Sequence, residues 1–227
     1  MTGLASVAVA LALAGGLPQG SEPVALNPAD FSSTIDNPYW PMAPGTRWVY
    51  REGAARVRMI VLRRTVRIAG VQARVLHDVV TRRGRVVEDT YDWYAQDRAG
   101  NVWYLGEDTK EFEDGRLVTR RGSWRAGEDG AQAGVVMPAQ PAVGQSYRQE
   151  FREGEAEDAA RILSIDDQAQ VPAGHFRDVV LTREASPLEP RVLEYKLYAR
   201  GVGPVLALAV SGDERGQEEL VRYVRGR

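Results

Sequence analysis

The sequence predicts an all-β protein built on one antiparallel, curled sheet, and three observations carry that prediction. Runs of strand-forming residues recur from Thr46 to Val224. Glycine-bearing turns divide them at the spacing of a meander. After the first twenty residues, no stretch has the capped periodicity of a long amphipathic helix, which disfavours a parallel α/β arrangement.

Taken in order, residues 1–20 (MTGLASVAVALALAGGLPQG) carry no charge and hold an apolar run from Leu4 to Leu17 that is short for a bilayer span. With the small-residue Ala-Gly-Gly-Leu-Pro exit, the segment reads as a signal-peptide core, although it lacks the positive n-region of that class; a buried helix is the other reading. The expected location is therefore secreted or periplasmic, with no integral membrane span in the mature chain. Residues 21–44 are rich in Pro, Asn, Asp and Ser and read as an extended arm ending in NPYWPMAPG. Its Tyr39 and Trp40 are expected to dock as a lid on the sheet or to plug its core.

Residues 45–227 form the β domain. TRWVYRE, VRMIVLRRTVRI, VQARVLHDVVT, RVVEDTYDWYAQ, NVWYLGED and KEFEDGRLVT read as strands, with Gly53, Gly70, Gly84, Gly100 and Gly115 marking turns. A Gly-rich loop is expected from Gly122 to Gly144, after which QSYRQEF, VPAGHFRDVVLTRE, RVLEYKLYARG, VGPVLALAVSG and ELVRYV resume the pattern. Between Glu155 and Leu163, Ala156, Ala159, Ala160 and Leu163 fit a helical face, yet the strand reading is favoured. About ten consecutive strands need their edges covered, so the sheet is expected to close into a lipocalin-like β-barrel or to stop as a half-barrel under the arm and the long loop. Such barrels enclose room for side chains or one small ligand.

At 227 residues and 44% hydrophobic content, the chain is long enough for one substantial core. Its 29 basic and 31 acidic residues are interspersed, so there is no long-range field to favour nucleic acid or an anionic membrane. Only Lys110 and Lys196 are lysines, and arginine-carboxylate pairs are expected on the sheet surface. The absence of cysteine removes disulfides, thiolate metal sites, cysteine nucleophiles and a lipid-modified cysteine from this sequence.

The most informative stretch is Glu88 to Asp108, which carries two of the five tryptophans on a hairpin around Asp97-Arg98-Ala99-Gly100. Gly100 suits the left-handed position of the turn, and Asp97 can accept from the turn's amides. With Asp97 facing Asn101, simple alternation sets Ala95 opposite Trp103, Trp93 opposite Leu105 and Tyr91 opposite Glu107 on one face. The other face carries Asp92, Tyr94, Gln96, Val102, Tyr104 and Gly106. Tyr91, Trp93, Tyr94, Trp103, Tyr104 and Leu105 are the candidate ligand-binding residues. A plain stabilising ladder of aromatic pairs is the alternative.

Chemistry on this scaffold has few sources. With only His77 and His175, a three-histidine zinc site is impossible within one chain, and no metal or cofactor is expected. No G-x-S-x-G elbow, Walker loop or G-x-G-x-x-G is present. Carboxylates remain: Asp89, Asp92, Glu107, Glu150 and Glu194 lie in predicted strands. Any that points inward needs a partner, Arg148 or Lys196, or a raised pKa that would suit a general acid or base. Glu107 is the first candidate and Asp92 the second. Glu194, Lys196 and Tyr198 alternate with Leu193, Tyr195 and Leu197, which separates a polar from an apolar face without fixing whether the polar one meets solvent or a wet lumen.

IDNPYWPMAPGTRWVY, DWYAQDRAGNVWYLGED and VPAGHFRDVVLT with YARGVGPV together resemble a group of exported bacterial all-β proteins of largely uncharacterised function. The VPAG-F and Y-A-x-GVG-x-V pieces also resemble lipoprotein-carrier-like half-barrels, with Arg200 standing where the similar sequences have proline. The resemblance implies export and an all-β fold, and brings no catalytic residues. The function expected is an exported protein binding a small apolar or amphipathic ligand; a cofactor-free carboxylate enzyme acting on a sugar or lipid, and an envelope protein-interaction module, are the rivals. The sequence fixes no oligomeric state.

Overall fold

The computed structural model describes residues 16–211 and 216–227. Most of the expected leader lies outside the described residues. Apart from one 3-10 turn at Pro28–Asp30, the regular structure among the described residues is strand: β1 (Phe31–Ser32), β2 (Arg47–Glu52), β3 (Ala55–Ile68), β4 (Val71–Arg82), β5 (Arg85–Asp97), β6 (Val102–Glu113), β7 (Arg116–Thr119), β8 (Trp124–Arg125), β9 (Gln132–Met137), β10 (Ser146–Arg148), β11 (Glu150–Phe151), β12 (Ala159–Val171), β13 (Gly174–Ala185), β14 (Leu193–Ala199), β15 (Gly203–Ser211) and β16 (Gly216–Val224). The strand reading of the ambiguous 155–163 segment holds from Ala159 onward.

All pairings are antiparallel, and they run β10-β12-β13-β14-β15-β16-β2-β3-β4-β5-β6-β9-β11. Because β10 and β11 are separated only by Gln149, one short segment pairs with β12 through its first half and with β9 through its second. The sheet thereby nearly closes into a barrel, which covers most of the edges that an open meander would leave unpaired. Gly134 makes this seam possible. A Cβ there would stand 2.3 Å from the Gln149 carbonyl oxygen and 2.5 Å from that of Arg148, so only glycine admits the crossing strand.

The expected Gly122–Gly144 loop needs correction on this point. It contains β8 and β9, which both pair with β6, and β9 is the last wall strand before the seam. Its glycines resemble loop punctuation, but Gly134 serves a close backbone approach within a strand.

With roughly twelve wall segments, the interior is wider than that of an eight-stranded barrel, which side chains alone can fill. Large aromatics and the arm take up the difference. Trp48, Tyr50, Tyr147, Met42, Ile68 and Leu220 are among the largest fully buried side chains. The arm covers the end of the barrel that carries the turns at 69–70, 98–100 and 200–202: Asn37 Nδ2 donates to the Gly100 carbonyl (2.9 Å), and Gly201 N donates to that of Pro38 (2.6 Å). Trp40 is buried against Trp48, Tyr94 and Tyr198, so of the two expected roles the arm plays the plug. Farther upstream, Arg148 donates to the carbonyls of Gly20 (2.7 Å) and Glu22 (2.8 Å), which ties the described start of the chain to the seam.

Candidate functional site

The plugged barrel retains a partly open cavity of about 340 Å³, at the small end of the range for ligand pockets. Its position follows from the inward faces of β5 and β6. Tyr94 and Tyr104 are cross-strand partners whose rings stack at 4.8 Å. Trp40 meets Tyr94 edge-on at 6.2 Å, and Trp124 meets Tyr104 edge-on at 5.3 Å. A continuous aromatic wall therefore runs from the arm to Trp124, whose Nε1 donates to Glu150 Oε2 at 2.8 Å.

The turn of this hairpin matches expectation. Asp97 accepts from the amides of Gly100 and Asn101, both at 2.9 Å, and from Trp103 Nε1 at 2.8 Å. The register matches only near the turn, where Gln96 faces Val102 and Ala95 faces Trp103. Beyond Tyr94↔Tyr104 a bulge adds one residue to β6, so Asp92 pairs with Glu107 and Tyr91 with Asp108. The expected pairs Trp93–Leu105 and Tyr91–Glu107 are thus incorrect. The bulge centres on Gly106, at φ +131°, where a Cβ would lie 2.3 Å from the Trp124 carbonyl oxygen of β8. A one-residue insertion reverses every later side chain. Glu107 accordingly turns inward to the face of Asp92 and the tyrosines, and it lines the cavity.

Of the other aromatic candidates, Tyr91, Trp93 and Trp103 stand on the opposite face of the sheet. Tyr91 stacks on His77 at 4.3 Å, Arg125 lies over Trp93 at 5.5 Å, and Trp103 meets Phe31 of the arm edge-on. Leu105 is fully buried beside the bulge and does not line the cavity.

The wall of the cavity carries six carboxylic acids, Asp78, Glu107, Glu150, Asp158, Glu184 and Glu218, against one cation, Lys196. Asp92 lies just behind them and accepts from Tyr104 OH at 2.7 Å. Burial pushes the Asp92 carboxyl up to about 7, with the Tyr104 hydrogen bond opposing the shift. Glu150 is pushed up to about 8, by burial first and then by Asp158. Burial likewise brings Glu218 to about 7. For Glu107 burial, reinforced by Asp92 and Glu150, raises the carboxyl well above the usual range. Asp78 is raised by burial and then by Asp92 and Glu218, and its Oδ1 is shut off from solvent without a hydrogen-bond partner.

Lys196 donates to Glu184 Oε2 at 2.8 Å and lies 3.0 Å from Glu194. Burial alone would lower its pKa, but these two carboxylates outweigh burial and hold the ammonium charged. The polar face of β14 thus meets the lumen, which alternation alone had left open. Of the two expected inward cations, Lys196 is one and Arg148 is not, because the Nη1 and Nη2 groups of Arg148 donate to carbonyls outside the cavity wall. Among the five carboxylates expected in strands, Asp89 faces away and pairs with His77 at 2.9 Å. Asp158 and Glu184 were not singled out from sequence, nor were Asp78 and Glu218. The signal for Asp78 was its position beside His77, which sets it on the inward face of β4; for Asp158, directly before β12, it was the two-residue spacing from Ala160 and Ile162, whose side chains are buried.

No family model matches the chain, and no curated protein does. Among solved structures the chain is similar to an exported-protein candidate with a YmcC-like fold from Bacteroides fragilis NCTC 9343, at 12% identity and TM-score 0.45 over 82% of this chain and 99% of that one. It is also similar to a candidate lipoprotein from Parabacteroides distasonis ATCC 8503, at 13% identity and TM-score 0.44 over 85% and 100% of the two chains. At these identities neither likeness assigns a function.

Chemically, the arrangement combines flat aromatic faces, hydroxyl donors and carboxyl groups poised to gain or lose protons near neutral pH. Among the described residues, no three His, Cys, Asp or Glu side chains converge closely enough to hold a metal ion.

Proposed function

We propose that this is an exported binding protein whose barrel encloses one small amphipathic molecule. The observation that carries the reading is the 340 Å³ cavity walled by Trp40, Tyr94, Tyr104 and Tyr198 and edged with buried carboxyls. An interior devoted only to stability would fill that volume with apolar side chains, because buried acids without partners are costly. The mixed wall favours an amphipathic ligand over a purely apolar one. Export rests on the composition of residues 1–20, and the expected location is secreted or periplasmic. Native mass spectrometry of the protein recovered from its own host, followed by denaturing extraction, tests the reading: a reproducible bound mass is expected, and an empty barrel at every preparation contradicts it.

One observation favours a second reading. Asp92 and Glu107 are direct cross-strand partners, and Asp92 titrates near neutrality, as an acid-base pair acting on a bound sugar or lipid would require. Replacing Glu107 by Gln or Asp92 by Asn separates the two. An enzyme loses turnover with its fold intact, whereas a binding protein changes only in affinity. For a protein-interaction role through the arm, Trp40 is buried in the barrel end, which leaves the half-buried Tyr39 as an accessible aromatic of the arm.

A further inference from the structure

Resting on the reading of the cavity as a ligand site, we propose that its ligand is a small organic cation: an ammonium or substituted ammonium group on a body that lies against the aromatic wall. The wall sets six carboxyls and several π faces against one cation, a balance that suits a cation better than an anion. Its one ammonium, Lys196, is already engaged by Glu184 and Glu194.

Several carboxyls remain without a cation. Glu107 accepts only from the Thr109 hydroxyl (2.8 Å) within the wall, and Glu150 from Trp124. Asp78 Oδ1 is shut off from solvent without a hydrogen-bond partner, the Val79 backbone being the carboxyl's hydrogen-bonding neighbour. A buried acceptor of that kind is costly unless something donates to it. The groups facing Asp78 are Asp92, Glu218 and Glu88, from β5 and β16, so the surrounding charge deepens its need for a donor.

The spacing of these acids argues for an extended organic cation over a bare metal ion, since among the described residues no three converge on one point. Aromatic rings supply the rest. Tyr94 and Tyr104 offer a stacked pair and Trp40 an edge at the plugged end, a set that suits an apolar body attached to the cationic group.

The test is calorimetric titration of the full chain with 2-phenylethylamine, choline and spermidine as cations, 2-phenylethanol as the neutral frame and phenylacetate as the anion, at pH 6 and pH 8.5. At least one cation is expected to bind one to one, tenfold or more tighter than the neutral and anionic frames. Its affinity should rise from pH 6 to pH 8.5 as the wall ionises. Asp78→Asn and Glu218→Gln should each weaken it at least fivefold, while Asp114→Asn, on an exposed turn, should not. Because the amides remove a buried charge, these variants are expected to stay folded, which a thermal melt checks. Equal or tighter binding by the neutral or anionic frame overturns the proposal, as does failure of every cation to bind. In either case the mass recovered from host-purified protein separates the claims: a neutral or anionic molecule leaves the binding reading standing, and an empty barrel removes both.

Discussion

Glu107 stands directly opposite Asp92 in the β5–β6 pairing, because the bulge at Gly106 adds one residue to β6. Without that residue Glu107 would face outward beside Trp93, and the inner wall would carry one acid fewer. Two carboxyls held across a strand pair repel each other when both are charged, and burial sharpens that repulsion. The bulge therefore adds Glu107 to the acids of the lumen and sets it against Asp92.

Gly106→Ala should disturb this arrangement more than a typical glycine replacement. The new Cβ would collide with the Trp124 backbone of β8 at a φ that favours glycine. A loss of roughly 2 kcal/mol or more is expected from denaturant unfolding. Trp124 fluorescence should shift as its contact with Tyr104 and Glu150 loosens.

Stability should fall as pH rises from about 5 to 8.5. For Asp92, Glu150 and Glu218 the folded-state pKa, about 7 to 8, lies above the unfolded value near 4. Between those limits the native state holds more protons than the unfolded one, so raising pH favours unfolding. The stabilising contribution is complete below the unfolded pKa and is lost as pH passes through the folded one. Thermal melts across this range should show a falling Tm, and Glu150→Gln should flatten the slope. A Tm that rises steadily to pH 8.5 contradicts the burial assigned to these acids.

Trp40→Ala should unplug the barrel end. The indole packs against Trp48, Tyr94 and Tyr198, and its removal leaves a void in a wide interior. A cost of about 3 to 5 kcal/mol is expected by equilibrium unfolding. Limited proteolysis should then cut the arm between residues 21 and 44 at lower protease concentration than in the wild type.

Arg148→Met should release the described start of the chain. The guanidinium donates to the carbonyls of Gly20, Glu22 and Ala133, and methionine would leave all three acceptors without it. A loss of about 2 to 4 kcal/mol is expected for such a buried, charge-assisted set. Hydrogen exchange at residues 17–24 should accelerate most.

Much of the fold was legible because strand alternation and glycine turns are local signals. The β5–β6 turn followed from Asp97 and Gly100, and the alternation of β14 marked Lys196 and Tyr198 as sharing one face. What escaped was set by contacts distant in sequence. Gly106 looks like any small residue in a strand until β8 is laid beside it, and the register then reverses Glu107. Gly134 reads as loop composition until the segment at 146–151 crosses it. Asp158 reaches the lumen from just before β12, and only the pairing of that strand fixes the face that it shares with Ala160 and Ile162. The acidic lumen therefore emerged only once closure brought β4, β6, β13 and β16 around one space.

The most direct test of the central claim is a high-resolution crystal structure of the protein purified from its own host without added ligand. Continuous non-protein density in the cavity, lying against Tyr94 and Tyr104 and reaching Asp78, is the predicted result. A lumen occupied by ordered water alone, or collapsed so that Trp40 and the wall tyrosines fill it, would contradict the account.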